Sequence, residues 1–337
     1  MYNFAIVFLN CTKLFIMYKF KESQIHKGQI NIGISSCVLG QEVRYNGGHK
    51  RSAFCVEQMS EYVQFVPVCP EVAIGLGVPR PTIRLERHGE DVIASTSEGE
   101  NVTERLKGFG RDMAGKLGFI SGYVFCAKSP SCGMERVKVY KSPGGASKEG
   151  VGLFAEELMK AMPLLPVEED GRLNDPALRE NFVARIYAYH DWQTMVADGL
   201  AASKLTSFHA RYKYMLLAHS PLAYNRLGRL TSDLSCDLEK KAESYIEGFM
   251  EALKTRASRK NHCNVLMHLQ GYFKKQLSSC RRQELAEVIH KYRQGIVPLM
   301  APLMLLKHCL AEYPNDYVAQ QRYLNPYPEP LALRYGL

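Results

Sequence analysis

Three cysteines in the first half of the chain stand in matching local settings. Cys37 lies in SSCVLG, Cys69 in VPVCPE and Cys132 in KSPSCG, each beside residues that turn or stiffen the backbone: Gly40, Pro70, and the pair Pro130 and Gly133. Thiolates are soft ligands, so a set of them selects zinc or the iron of an iron–sulfur cluster. The long intervals between the three match neither a compact zinc motif nor a ferredoxin run. Any one of them alone reads as a buried core thiol; the shared rigid settings are what favour a common centre. Three ligands on a four-iron cluster leave one iron open, and an open metal position acts as a Lewis acid with a preference for sulfur.

Polar residues accompany the thiols. Glu71, two residues after Cys69, is a candidate general base, and Ser129 and Ser131, just ahead of Cys132, are candidate partners of substrate or water. The plainer readings are a glutamate that opens a helix after proline and serines that shape a turn. Arg80 and Arg84, in PRPTIR, are candidate phosphate contacts. Cys55 and Cys126 read as core, inside a helix and a strand. The Gly-Leu-Gly at Gly75–Gly77 lacks the spacing and following helix of a nucleotide fingerprint.

Positioning three distant thiols requires strands that end on one edge. Ile30 to Ser36, Val63 to Val68 and Gly122 to Ala127 are short apolar runs with strand character, and helical patterns at Ser52 to Tyr62 and Asn101 to Leu117 lie between them. That alternation predicts an α/β domain with a mostly parallel sheet, whose strand carboxyl ends gather on the edge where ligands bind. Thr82 to Ser95 reads as an edge hairpin about a His-Gly-Glu-Asp turn, Arg136 to Lys141 as a further strand followed by the loop SPGGASKEG, and Phe154 to Ala161 as a closing helix. From Leu178 on, only helical periodicity is found, so the C-terminal half is predicted all-α. The domains run 1–29 (an extension), 30–162 (α/β), 163–177 (a proline- and acid-rich linker) and 178–337 (helical), with the tail NPYPEPLALRYGL laid over the surface.

Ten cysteines without regular spacing in 337 residues suit a reducing compartment, hence a cytoplasmic location, better than a disulfide framework. The apolar first 20 residues are broken by Asn10, Thr12 and Lys13 and have no small-residue cleavage site after them, which argues against a leader or a membrane span. The net charge of +9 divides into +1 over residues 1–180 and +8 over residues 181–337. The basic half therefore suits a polyanion, a solvated basic face being the alternative. Arg211 and Lys213 interleave with aromatics in HARYKY, and Lys274 and Lys275 do so in GYFKK, a mixture suited to RNA; the aromatics themselves more often form core. His209, His219, His262 and His268 read as satisfied core or capping groups ahead of a second metal site. Neither charge nor periodicity points to a particular oligomeric state.

SSCVLGQEVRYNGGHK, VPVCPEVAIGLGVPRP and AKSPSCG, in that order, resemble the thiouracil desulfidase (TudS) family over about Ile30 to Ala161. Asn46 stands where aspartate is often found. The resemblance implies a 4Fe-4S cluster held by Cys37, Cys69 and Cys132 with one open iron, and catalysis by Glu71 and a serine of the SPSC block, Ser129 first. The implied reaction is a non-redox loss of sulfur from thiolated uracil. The second half, with FHARYKYMLLAHSP, NHCNVLMHLQGYFKK and YLNPYPEPLALR, is similar to the YbgA-type helical domain, and the pairing resembles RudS-type desulfidases, which implies thiouridine in tRNA as substrate. The alternatives are a free thiouracil or thiouridine monophosphate substrate, and a zinc-containing nucleic-acid-binding protein without catalysis.

Overall fold

In the computed structural model, residues 29–141 and 144–334 are described. The extension read at residues 1–29 lies, but for Gln29, outside them. The chain divides into two compact units: one takes in the described residues up to Ile120 and Val124–Ala161, the other Ser121–Tyr123 and the residues from Met162 onward.

In the first unit, β1 (Asn31–Ser35) is wholly buried and pairs in parallel with β2 (Gln64–Val68), Ser35 opposite Val68. Buried runs of this kind are what a parallel sheet covered on both faces requires. β5 (Tyr123–Phe125) lies on the other side of β1, and the Cys126 N–H just beyond it donates to Ser35 Oγ at 3.0 Å. The ends of all three strands therefore lie together.

A second sheet has four strands, in the order Asp91–Thr96, Ile83–His88, Val137–Lys141, Ala146–Gly150. β3 (Ile83–His88) and β4 (Asp91–Thr96) form the expected hairpin, closed at His88 opposite Asp91. It does not extend the parallel sheet, because β3 pairs in parallel with β6 (Val137–Lys141). β7 (Ala146–Gly150) falls where a loop was expected: its sequence ASKEG has no apolar alternation, and backbone pairing with β6 makes it a strand. Leu85, Ala94, Val137 and Val139 of these strands pack with Leu106 of the helix Thr103–Lys116 and Leu153 of the helix Leu153–Ala161.

The second unit is helical after the short strand β8 (Val167–Glu169): Pro176–Ala197, Ala202–His219, Pro221–Leu230, Leu238–Lys254, Arg259–Gly271, Ser279–Gln294 and Met300–Glu312. Side chains of Asp175, Ser220, Ser258 and Ser278 cap four of them, accepting otherwise unpaired N–H groups. In the stretch read as linker, Glu168, Glu169 and Asp170 are buried, and Glu168 accepts from Arg172 at 2.6 Å. The tail differs from expectation. Tyr327 and Leu331 are buried, and Arg334 binds Glu180 at 2.9 Å and the Tyr323 carbonyl at 2.7 Å, so a part-buried ion pair pins it.

His262 Nδ1 stands 2.8 Å from the Tyr323 hydroxyl, and burial, aided by Arg334 and His219, lowers its pKa to about 3. The folded unit thus holds this imidazole neutral, whereas an unfolded one titrates near 6.5. Between those values the unfolded chain binds more protons, so the stability is present above about pH 6.5 and is lost as pH falls through the window. Urea unfolding of the full chain should show about 2 kcal/mol less stability at pH 5 than at pH 7 from this residue. His262→Asn should remove that part of the pH dependence; an unchanged pH dependence would contradict it.

Candidate metal centre

Cys37 lies two residues past β1 and Cys69 one residue past β2, so the register Ser35–Val68 brings both to the same sheet edge. The Cys37 carbonyl accepts from Gly40 N (3.2 Å) and Lys50 N (2.8 Å), and Gly40 turns the loop at φ +99°, a conformation that favours glycine. Asn46 Oδ1 accepts from Gly48 N at 3.2 Å, a turn contact that aspartate could make equally. Cys69 precedes the one-turn helix Pro70–Ala73.

Cys132 comes from the loop after β5. Ser129 Oγ accepts from the N–H groups of Ser131 (3.2 Å) and Cys132 (3.1 Å), which folds the loop back on itself. The start of the helix Leu153–Ala161 then grips the loop carbonyls: Leu153 N to Pro130 O at 3.1 Å, Phe154 N to Ser131 O at 3.1 Å, and Gly152 N to Gly133 O at 2.7 Å. Helix-start N–H groups have no partner inside the helix, so they hold the loop at little cost. A Cβ on Gly152 would stand 2.5 Å from the Ser131 carbonyl carbon and 2.7 Å from Cys132 N. Gly152→Ala must displace that backbone. The expected loss is about 1–3 kcal/mol of stability, together with reduced iron content after anaerobic reconstitution; wild-type iron content and melting would refute this tight packing.

The thiols form one electrostatic group. Cys37 is hydrogen-bonded to Cys126, and this bond, then burial, then the charges of Cys126, Cys132 and Cys69 push its pKa upward. Burial, then Cys126, Glu71 and Cys69, drives Cys132 well above the usual thiol range, against a hydrogen bond from Ser35. Burial pushes Cys69 up to about 11, opposed first by the Val72 N–H. Beside them Glu71 is fixed at both oxygens. Ser131 Oγ donates to Oε1 at 2.8 Å, and Arg80 donates to Oε2 from Nε at 2.7 Å, its Nη2 lying 2.6 Å away. The Arg80 side chain is only 4% exposed and also binds the carbonyls of Val43 (2.8 Å) and Gly77 (3.1 Å).

Crowded, buried thiols that resist ionisation alone are stabilised as thiolates by a bound cation. An all-sulfur set of donors suits an iron–sulfur cluster. Among the described residues, no three His, Cys, Asp or Glu side chains are spaced to close on a single metal ion. A cluster takes each thiolate on a different iron, so its ligands stand farther apart than those sharing one zinc at about 2.3 Å. It is the all-thiol donor set, its members close enough to act on one another, that fits a cluster.

Cys37, Cys69, Cys132, Glu71, Ser131 and Arg80 are thus brought together. Ser129 is in the same loop, with its hydroxyl oxygen on backbone N–H groups. Arg84 lies elsewhere, exposed on β3 and 5.3 Å over the Tyr140 ring. Sequence reasoning missed Cys126, Ser35 and Gly152. The available signal for Cys126 was the strand-end rule itself, since β5 stops at Phe125 and Cys126 follows it as Cys69 follows β2.

Within the helical unit, Arg211 lies 4.0 Å from Asp191, Lys213 sits over the rings of Tyr214 (4.9 Å) and Tyr317 (4.7 Å), and Lys274 and Lys275 are exposed. Tyr212, Tyr214 and Phe273 are buried core, as their helical spacing allowed. His209, His219 and His262 are satisfied singly, by Tyr245 (3.1 Å), the Thr255 carbonyl (2.6 Å) and Tyr323.

Residues 32–170 match the sequence model of 2-thiouracil desulfurase, and residues 213–328 match that of a protein family of unknown function, DUF1722. YbgA of Escherichia coli K12 is 37% identical over 159 residues, 47% of this chain and 94% of YbgA. YbbK of Bacillus subtilis 168 is 35% identical over 108 residues, 30% of this chain and 71% of YbbK. The solved 4Fe-4S-dependent thiouracil desulfidase TudS is 30% identical over 45% of this chain and 98% of its own, with a TM-score of 0.37. Among the described residues, no helix is long and apolar enough to cross a membrane.

Proposed function

The chain belongs to the 2-thiouracil desulfurase family and carries a YbgA-type helical unit, and from this premise we propose that it releases sulfide from thiouridine in tRNA. The observation that carries the proposal is the convergence of Cys37, Cys69 and Cys132 with the Glu71–Ser131–Arg80 group on one sheet edge. The three cysteines would hold a 4Fe-4S cluster, which when bound would supply a sulfur-seeking Lewis acid.

The other residues handle water and protons. Arg80 occupies Glu71 Oε2 and keeps the carboxylate from turning. Oε1 accepts the proton of a water that adds to the thiocarbonyl carbon, and the Ser131 hydroxyl, 2.8 Å away, stays in contact with it. Ser129 shapes the loop that fixes Cys132 and Ser131. Water and thiocarbonyl become carbonyl and hydrogen sulfide, with no change in oxidation state and no external electron source. The +8 charge of residues 181–337 supports RNA over a free nucleotide, through Arg211, Lys213, Lys274 and Lys275. Location in the reducing cytoplasm suits the thiols.

The test is incubation of anaerobically reconstituted full-length protein with thiolated tRNA and with thiouridine monophosphate, sulfide being measured from each. Faster release from tRNA is expected. Release from the nucleotide alone would reassign the substrate, and a colourless protein holding zinc with no sulfide release would sink the reaction.

A further inference from the structure

The second sheet of the first unit presents a cationic groove that the reaction chemistry leaves unused. It encloses about 850 Å³ and is lined by Arg84 of β3, Lys138 and Tyr140 of β6, Lys148 of β7, and Lys128 and Arg136 at the two ends of the loop that carries Cys132. All five cationic residues are exposed.

Three of them are placed side by side by strand pairing. Leu85 pairs with Val139, so Arg84 falls beside Lys138, and Leu85 and Val139 are buried on the opposite face. On the far side of β6, Val137 pairs with Gly150 and Val139 with Ser147, a register shift that sets Lys148 near Lys138. Like charges on neighbouring strands repel one another. Among the described residues, Arg84, Lys128, Lys138 and Lys148 have no ion-pair partner; Arg136 has only the adjacent Glu135, at 3.7 Å. The backbone adds a second observation. Lys128 and Arg136 are non-glycine residues held at φ +64° and +55°, a conformation that L-residues seldom adopt.

We infer that this groove binds the sugar-phosphate backbone of the RNA substrate, so that the catalytic unit has an RNA contact of its own. Two interstrand spacings separate β3 from β7, about 10 Å, a wider spread of cations than one phosphate engages. The volume likewise exceeds a single anion, and the Tyr140 ring, covered by Arg84 at 5.3 Å, holds that guanidinium in the lining. Lys128 and Pro130 belong both to this groove and to the Cys132 loop, so a strand held here rests on the loop that carries Cys132. The inference rests on the reading of the substrate as RNA and adds where it is gripped.

The experiment measures binding of a fluorescein-labelled, unmodified tRNA transcript to the full chain across a salt series. Lys138→Glu/Lys148→Glu is expected to weaken binding at least about tenfold. It should also flatten the slope of log affinity against log salt by about 1.4, two phosphates at about 0.7 each. Lys138→Gln/Lys148→Gln, which adds no repulsion, should show the slope change with a smaller loss, and thermal melting confirms that both variants fold. Wild-type affinity and slope in both folded variants would overturn the inference, as would a loss confined to Lys274→Glu/Lys275→Glu. Displacement of the transcript by micromolar uridine monophosphate would overturn the polynucleotide assignment. Sulfide release by the wild-type chain is assayed separately: tight, groove-dependent RNA binding without sulfide would defeat the proposed reaction and leave the groove standing.

Discussion

Cys132→Ala is expected to yield a folded, colourless protein after anaerobic reconstitution, with iron falling from roughly four per chain to near background and sulfide release lost. The thiol is 5% exposed, and its backbone is held by Ser129 Oγ and by N–H groups at the start of the helix Leu153–Ala161. Removing one thiol from a buried set also leaves the remaining thiolates without the cation that offsets their repulsion, so the whole cluster is lost rather than one bond. Cys69→Ala should behave alike. Cys126→Ala is the contrast: it removes a hydrogen-bond partner of Cys37 and should keep most of the iron. Full iron in Cys132→Ala together with loss in Cys126→Ala would exchange the two cysteines' roles.

Glu71→Gln should retain the brown colour and lose about 10²- to 10⁴-fold in the rate of sulfide release, the range for removing a positioned general base. Glutamine preserves the shape of the side chain and can still meet Ser131, but it cannot take a proton from water. It also strips the buried Arg80 guanidinium of its counter-charge, so a stability loss of about 3 kcal/mol accompanies the change. The two effects separate in Glu71→Met/Arg80→Met, where no buried charge is left unpaired: melting should recover toward wild type while the rate stays low. A Glu71→Gln enzyme within threefold of the wild-type rate would remove this carboxylate from the mechanism.

Much of this arrangement was legible in one dimension, and the reasons are local. Apolar runs of strand length before Cys37 and Cys69, and helical periodicity from Leu178 onward, report which faces must be buried, so the fold class could be read from them. β7 was missed because edge pairing asks little of its side chains, and the tail was misplaced because the partner of Arg334 is Glu180, 154 residues away. Cys126 is buried as read, but it lies beyond β5 and not within it, because a two-residue difference in the end of the strand decides that.

The sequence by itself determined the chemistry on offer: three thiols in rigid settings, a carboxylate next to one of them, two serines before another and a basic second half. Only the tertiary structure decided who meets whom. It placed Ser131 rather than Ser129 on Glu71, committed Arg80 to that carboxylate, added a fourth thiol and gathered cations from three strands into one groove. The physical reason is one of range. Residue type and nearest neighbours set what a side chain can do, whereas its partners depend on strand register and loop anchoring between segments tens of residues apart.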